Sequence, residues 1–393
     1  MKIGWALIAT AGVVLGCSDG GAGDVQLPPS TLLEAPPEGQ GMQLSMDARI
    51  EAGQEIEYCQ YVVMPAGIDV GRFEHAYSPG SHHLLLYMTT LDAAEVEGDL
   101  ERFDCASRDD LRLGGIAYAA QVSEGLSAFP SGVAMRFAGQ QVMMLQSHYL
   151  NTTPDALDAQ VRLNLWAAEG EVEQEAGTLF YYDYSILLPP HSTTTARMRC
   201  EVGADIEIAF AMSHMHRRGV GYRSRLIGEP LADPLALYET DRWEGVEPLV
   251  LDPVLSAKAG QTIEFECDYK NDGNETIIEG PSGAKNEMCM FVATYWPRMD
   301  LADEFCARPG SGPVHDGDRT CAQTLECFQG TKDAVAREQC QMNTCEASSP
   351  ALADLNHCLF FNCPDCPDGE KCQACVAAKC FDAYQGCQAA SCD

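Results

Sequence analysis

Nine histidines occur in the chain, and five of them fall into three short motifs: "SHHLLLY" (His82, His83), "QSHYLN" (His148) and "SHMHRRG" (His214, His216). A neutral imidazole is a metal ligand, so clusters of this residue type raise metal chemistry first. His214 and His216 stand two apart on "IEIAFAMSHMH", a run that alternates as a strand does. That spacing turns both rings to one face, as two ligands of a single ion require. His82 and His83 pose a harder geometry, because adjacent strand side chains face opposite ways. Both reach one ion only if the strand is bulged or ends there, and Pro79-Gly80-Ser81 just upstream supplies such an irregularity. His148 then offers a third imidazole from another strand. The remaining His75, His191, His315 and His357 stand alone and read as ordinary structural residues.

The elements that must carry these motifs are short strands. Between residues 42 and 300, "EIEYCQYVVM", "HHLLLYMTT", "QVMMLQSHYL", "AQVRLNLWAA", "TLFYYDYSILL", "TARMRCEV", "IEIAFAMSHMH", "QTIEFECDYK" and "MCMFVATYW" are rich in β-branched or aromatic residues. Most are bounded by Gly, Pro, Asn or Asp. No long amphipathic helix interrupts them. A mainly β chain of this length suits two consecutive antiparallel β-sandwich domains, at 42–187 and 188–306, joined at "LPPHS" where Pro189 and Pro190 end a strand.

The 393 residues carry a formal charge of −33, which argues against nucleic acid and anionic membrane surfaces as partners. Aromatic residues make up only 8% of the chain, so no carbohydrate-stacking surface is expected. Lys2 and the apolar stretch "WALIATAGVVL" (5–15) read as an export signal, too short for the roughly 20 residues that span a bilayer. The signal closes on "VLGC", which resembles the lipobox of bacterial lipoproteins and makes Cys17 the lipid-bearing residue. An ordinary secretory signal with an incidental cysteine is the alternative. Residues 1–17 are thus read as signal peptide, 18–41 as a flexible tether, and the location as the bacterial cell envelope, membrane-bound by lipid anchor only.

Nineteen cysteines in an exported chain imply disulfides. Apart from Cys17, six are dispersed between Cys59 and Cys306 and twelve crowd into 321–392. Residues 307–320, "ARPGSGPVHDGDRT", read as a linker to that small disulfide-rich helical module (321–393). There C-x12-C-x4-C recurs, and "FQGTKDAVAREQ" and "EASSPALADLNH" read as short helices, the second with Ser349 as N-cap before Pro350. Zinc at "CPDC" and "CQAC" competes with disulfides, but five residues between the pairs is short for a zinc ribbon.

In this order, "HHLLLY", "QSHY", "HMH" followed by "GVGYR", and "NEMCMFVATYWP" (286–297) resemble the copper type II, ascorbate-dependent monooxygenases over roughly residues 42–306. The resemblance implies two β-sandwiches of jelly-roll type, each with one copper, facing each other across a solvent-filled gap. His82, His83 and His148 would hold the first ion; His214, His216 and Met288 would hold the second, catalytic one. A thioether favours Cu(I), the state that meets dioxygen. The family also implies the disulfides Cys59–Cys105, Cys200–Cys306 and Cys267–Cys289. Its activity is hydroxylation of a C–H bond by dioxygen with ascorbate or another one-electron donor, using two separated mononuclear coppers. Gln146 matches a family position and either orients the first site or serves as an ordinary strand residue.

The expected substrate is a small molecule or a peptide. Peptide-amidating members place an arginine where this chain has Met212, and polar groups where it has Met290 and Val292. The carboxylate clamp is therefore missing, which disfavours glycine-extended peptides and favours a more apolar or aromatic substrate. Two other classes remain open at this stage: a non-catalytic copper-sequestering lipoprotein, and an adhesion or scaffold protein whose Cys-rich tail binds a protein partner. The tail by itself reads as a rigid stalk or cap.

Overall fold

The computed structural model describes residues 32–108, 111–331, 333–363, 366 and 369–393. The signal, the lipobox Cys17 and most of the tether lie outside the described residues. Eight of the nine strand-like segments of the sequence form single strands and "TLFYYDYSILL" is divided into Gly177–Tyr182 and Leu187–Leu188; the chain is mainly β with several antiparallel sheets. Two sheets form the first half. One runs from Gly41–Ile50 through Leu157–Ala167 and Ile68–Tyr77; the other places Glu55–Val63, Val142–Leu150, Ser81–Thr89 and Leu113–Ala120 side by side. Alternate residues of both sheets, among them Leu44, Met46, Leu84, Leu86, Leu145 and Val161, make one buried cluster, as the period-two pattern requires.

The second half repeats the plan. Gly177–Tyr182, Cys289–Trp296, Ile206–Met215 and Leu249–Ala257 form one sheet. Leu235–Thr240, Gly219–Ile227, Thr262–Asn271 and Ser192–Glu201 form the other. Phe265, Phe291, Tyr181 and Tyr222 sit in their common core. A smaller apolar cluster, with Val133 from the first half and Ala176, Ala209 and Trp296 at or in the second, joins the two.

The chain changes sheets earlier than "LPPHS". Gln174–Glu175 still pairs with Val133–Phe137 of the first half, whereas Gly177–Tyr182 pairs with Cys289–Trp296 of the second. Pro189 and Pro190 do end a strand, but one already inside the second half, because Leu187–Leu188 pairs with Ile277–Ile278. A proline pair breaks a ladder wherever it falls and does not by itself mark a domain joint.

Residues 307–320 are likewise no free linker. Gly312–Pro313 adds to the edge of Ser192–Glu201, and Ser311 and His315 are buried. The module that follows has helices Cys321–Gln329, Ala334–Met342, Ser349–Asn362, Gly369–Lys379 and Phe381–Ala389. The expected helix over "FQGTKDAVAREQ" is divided between two: the first ends at Gly330, and Asp333 starts the next by accepting from the Ala336 N–H at 2.9 Å. In the next helix Ser348, not Ser349, is the N-cap, with Pro350 in the first turn. The Ser349 hydroxyl instead donates to the Cys345 carbonyl at 3.1 Å.

Among the described residues nine disulfides are present: Cys59–Cys105, Cys200–Cys306 and Cys267–Cys289 in the two halves, and six within the tail. The "CPDC" and "CQAC" cysteines pair as Cys363–Cys375 and Cys366–Cys372, so their sulfurs are bonded to one another.

The tail is held against the second half by close backbone approach and by charge. Gly317 donates to the Thr344 carbonyl at 2.9 Å, and a Cβ at Gly317 would stand 2.1 Å from the Asn343 carbonyl carbon. Gly317→Ala is therefore expected to destabilise the chain by about 3 kcal/mol through a backbone clash no rotamer relieves, measured by denaturant unfolding. Arg199 bridges Glu264 of the sheet at 2.7 Å and Glu346 of the tail at 2.8 Å.

Glu338, on Ala334–Met342, contacts Ser185 and has its carboxyl pushed up to about 7 by burial. In the folded chain it keeps a proton that an unfolded chain releases near 4.5. Its contribution is thus full below that value and is lost as pH rises through about 7. Glu338→Gln removes the buried charge and is expected to stabilise the protein by about 1–2 kcal/mol near pH 8 and to change little near pH 5. Thermal unfolding at the two pH values reads the difference.

Candidate metal centre

The bulge demanded by adjacent histidines is present. In the pairing of Ser81–Thr89 with Val142–Leu150 the register shifts between Ser81 and His83, and His83 then lies opposite His148. The preceding Gly80 has φ +96°, a turn conformation that glycine adopts without strain. As a result His82, His83 and His148 converge: their ring centroids are 5.5, 5.4 and 5.0 Å apart, and one ligand nitrogen from each lies within 4.8 Å of the others.

Carboxylates on the neighbouring strand Glu55–Val63 stand behind this group. Glu55 accepts from His148 Nε2 at 3.2 Å, which leaves Nδ1 as the nitrogen with a lone pair. His148 Nδ1 and His83 Nδ1 are both buried and have no hydrogen-bond partner. Buried polar atoms are ordinarily paired, so two orphaned imidazole nitrogens in one cluster fit a missing cation. Gln146 donates to Glu57 at 3.0 Å, and burial pushes the Glu57 carboxyl up to about 7.

His214 and His216 lie at and just beyond the end of Ile206–Met215, with ring centroids 5.2 Å apart. His216 Nδ1 donates to the Asn286 carbonyl at 3.1 Å. His214 Nδ1 donates to Gln121 Oε1 at 2.6 Å. The Gln121 amide is fixed in that sense because its Nε2 donates to the Ser213 carbonyl at 2.7 Å. Both rings therefore turn Nε2 outward as the free ligand atom.

Glu287, fully buried, accepts from the backbone N–H groups of His216 and Arg218 at 3.1 and 2.9 Å and so ties this turn to the loop before Met288. Tyr269 donates to the Met288 carbonyl at 2.6 Å, and the Cys267–Cys289 bond holds the next residue. Met288, His214 and His216 line one cavity.

Burial, reinforced by the neighbouring rings, holds His83 and His214 well below the ordinary histidine pKa. It brings His148 and His216 down to about 4 and lowers His82. All five rings are thus in the neutral form that binds metal at physiological pH.

The two groups do not face each other across a gap. The His83 and His214 rings are 5.5 Å apart, so the five histidines form one continuous array. The halves close because Gln121, from the first, reaches Ser213 and His214 of the second, and Ala119 packs on the second half's core. Two cavities flank the array. A groove of about 750 Å³ reaches His82 and also meets Arg242 and Glu244. A smaller one, about 260 Å³, holds His83, His214, His216 and Met288. Its walls are largely apolar, with Tyr87, Phe180, Met212, Met290 and Val292, and the acid Glu57 and amide Gln146 enter from the first half. No lysine or arginine lines it among the described residues.

Sequence reasoning missed Gln121, Glu55 and Glu287. The acidic alternation of Glu55 and Glu57 was a visible signal that reads equally well as a solvated strand face; Gln121 carries no motif at all.

Residues 175–315 match the family described as copper type II ascorbate-dependent monooxygenase, C-terminal domain. His214, His216 and Met288 lie within that stretch. Among solved structures, the major capsid protein P2 from bacteriophage PM2 is 9% identical, covers 65% of this chain and 100% of its own, and has a TM-score of 0.30. The PBSX exported protein XepA is 8% identical, covers 64% and 86%, and scores 0.16. Neither score supports a shared fold.

Proposed function

We propose that the chain is a copper-dependent monooxygenase of two β-sandwich domains that hydroxylates a C–H bond with dioxygen and a one-electron donor such as ascorbate. The observation that carries this reading is the pair of unlike donor sets, three imidazoles and two imidazoles with a thioether, brought together where His83 and His214 stand 5.5 Å apart, inside a chain whose second half matches the copper family. Copper bound there would supply the electrons and the activation of dioxygen that hydroxylation needs.

The chain's own residues supply the rest. His82, His83 and His148 would hold one ion, with Glu55 fixing the His148 tautomer. His214, His216 and Met288 would hold the other, with Gln121 and the Asn286 carbonyl turning Nε2 toward it. The apolar walls exclude water from the reacting C–H bond. A sequestering protein has no need of two dissimilar donor sets around one apolar cavity.

The expected result is two copper ions per chain and ascorbate-driven oxygen uptake in the presence of a panel of apolar C–H substrates. Two bound coppers with no oxygen uptake on any substrate would leave the sequestration reading in its place.

The cavity also bears on the substrate. With Met212, Met290 and Val292 on its wall and no cation to meet a carboxylate, glycine-extended peptides are expected to give no amidated product in a copper and ascorbate assay. Mass spectrometry of the product mixture checks this, and clear turnover would overturn it. Export and a lipid anchor at Cys17 complete the proposal. The disulfide density supports export, and the anchor, which rests on the "VLGC" motif, is tested by metabolic labelling with a fatty acid analogue and loss of label in Cys17→Ser.

A further inference from the structure

The family match stops at residue 315, and the helical tail beyond it touches the second half at one place connected to the metal-binding loop. The Ser185 hydroxyl, buried, donates to Glu338 Oε1 of the tail at 2.6 Å. It also lies 3.4 Å from His315 Nε2 and 3.6 Å from the Met342 sulfur. Tyr184 stacks edge-on against His357 of the tail at 5.9 Å. The short segment Asp183–Ser185 is thus gripped from the tail side.

On its other side the same segment reaches the candidate metal loop. The Ser185 N–H donates to the fully buried Asp183 carboxylate at 2.9 Å, and the Asp183 N–H donates to the Cys289 carbonyl at 2.9 Å, one residue past Met288. A parallel route runs through the two-stranded pairing of Leu187–Leu188 with Ile277–Ile278. Ala334–Met342 packs on Leu187–Leu188 and on Ile277–Ile278. The Ile278 carbonyl accepts from the Glu287 N–H at 3.2 Å, and Glu287 fixes the His216 turn. The first route ends beside Met288 and the second on Glu287, which holds the His216 N–H, and none of these contacts reaches His82, His83 or His148.

We propose that the disulfide-stapled tail is a brace for the Met288 metal site, with Glu338 as a positioning residue acting through Ser185 and Asp183 on the loop that presents Met288 and His216. This rests on the reading of His214, His216 and Met288 as a copper site. The six tail disulfides make the brace rigid: a module with so few large apolar residues holds Glu338 in place through cross-links.

The test uses the full chain with Glu338→Ala, Glu338→Gln and Ser185→Ala, titrated with copper(I) alone against a competing chelator. X-ray absorption reads the sulfur ligand. Glu338→Ala and Ser185→Ala are expected to weaken the sulfur-containing site about tenfold and to diminish its sulfur signal, while the three-histidine site keeps its affinity. Glu338→Gln, which still accepts from Ser185, is expected to restore both. Unchanged affinities and sulfur signal in folded Glu338→Ala and Ser185→Ala would overturn the brace, as would an equal fall at both sites, which marks general destabilisation. If Glu338→Ala does not fold, Ser185→Ala alone decides, because it leaves every tail residue in place. A wild-type protein with no sulfur-ligated copper would instead remove the metal-site reading, and the brace with it.

Discussion

Met288→Ala is expected to abolish ascorbate-driven oxygen uptake while the protein still binds one copper through His82, His83 and His148. Met288 lines the cavity together with His214 and His216, and as the thioether of the proposed donor set it would stabilise the reduced ion. The side chain is only partly buried against the core, so its loss costs about 1–2 kcal/mol of folding stability, far too little to unfold the chain. The loss of activity should thus be complete, or at least about a hundredfold, in a protein that still unfolds cooperatively and is only slightly destabilised. His214→Ala should behave alike, with the added loss of the Gln121 contact. Normal oxygen uptake by Met288→Ala would mean that the sulfur is a packing group and that the second donor set has been misassigned.

The second large effect is expected at Gln121. Its amide is the polar link by which the first half orients a ligand of the second: Oε1 fixes His214 Nδ1 and Nε2 holds the Ser213 carbonyl. Gln121→Ala leaves the His214 N–H without its acceptor and lets the ring turn. Outer hydrogen bonds of this kind are worth about ten- to a hundredfold in metal affinity. Competition with a copper(I) chelator should show that loss at the Met288 site only. Gln121→Glu keeps an acceptor for His214 Nδ1 but loses the donor to the Ser213 carbonyl, so it should recover only part of it. Equal copper affinity in wild type and Gln121→Ala would show that the Asn286 and Glu287 contacts suffice to place this pair of rings.

The tail changes how the molecule is understood. Its close contacts at Gly317, Arg199 and Ser185 make it part of the second half's structure, where composition alone suggested a stalk. Natural variation in its helices would then be felt at the metal loop and not only in stability.

Much of this was legible in the residues themselves. Strand identity followed from β-branched and aromatic runs between turn residues, because a pleated, half-buried surface selects those side chains locally. The His214–His216 spacing determined that both rings share a face, and the adjacency of His82 and His83 required a bulge, since strand side chains alternate. Oxidation state and disulfide density followed from cysteine number. What only the tertiary structure decided depends on contacts between segments far apart in the chain. The change of sheets at Ala176 is a matter of pairing partners, and proline at 189–190 is silent on that. The burial of 307–320 comes from an edge strand finding Ser192–Glu201. Gln121 holds His214 and Ser213 only because the two halves close on each other. Glu338 meets Ser185 only because the tail folds back. Local chemistry selects the ligands, but the atoms that aim them arrive by long-range packing, which leaves no periodic trace in the sequence.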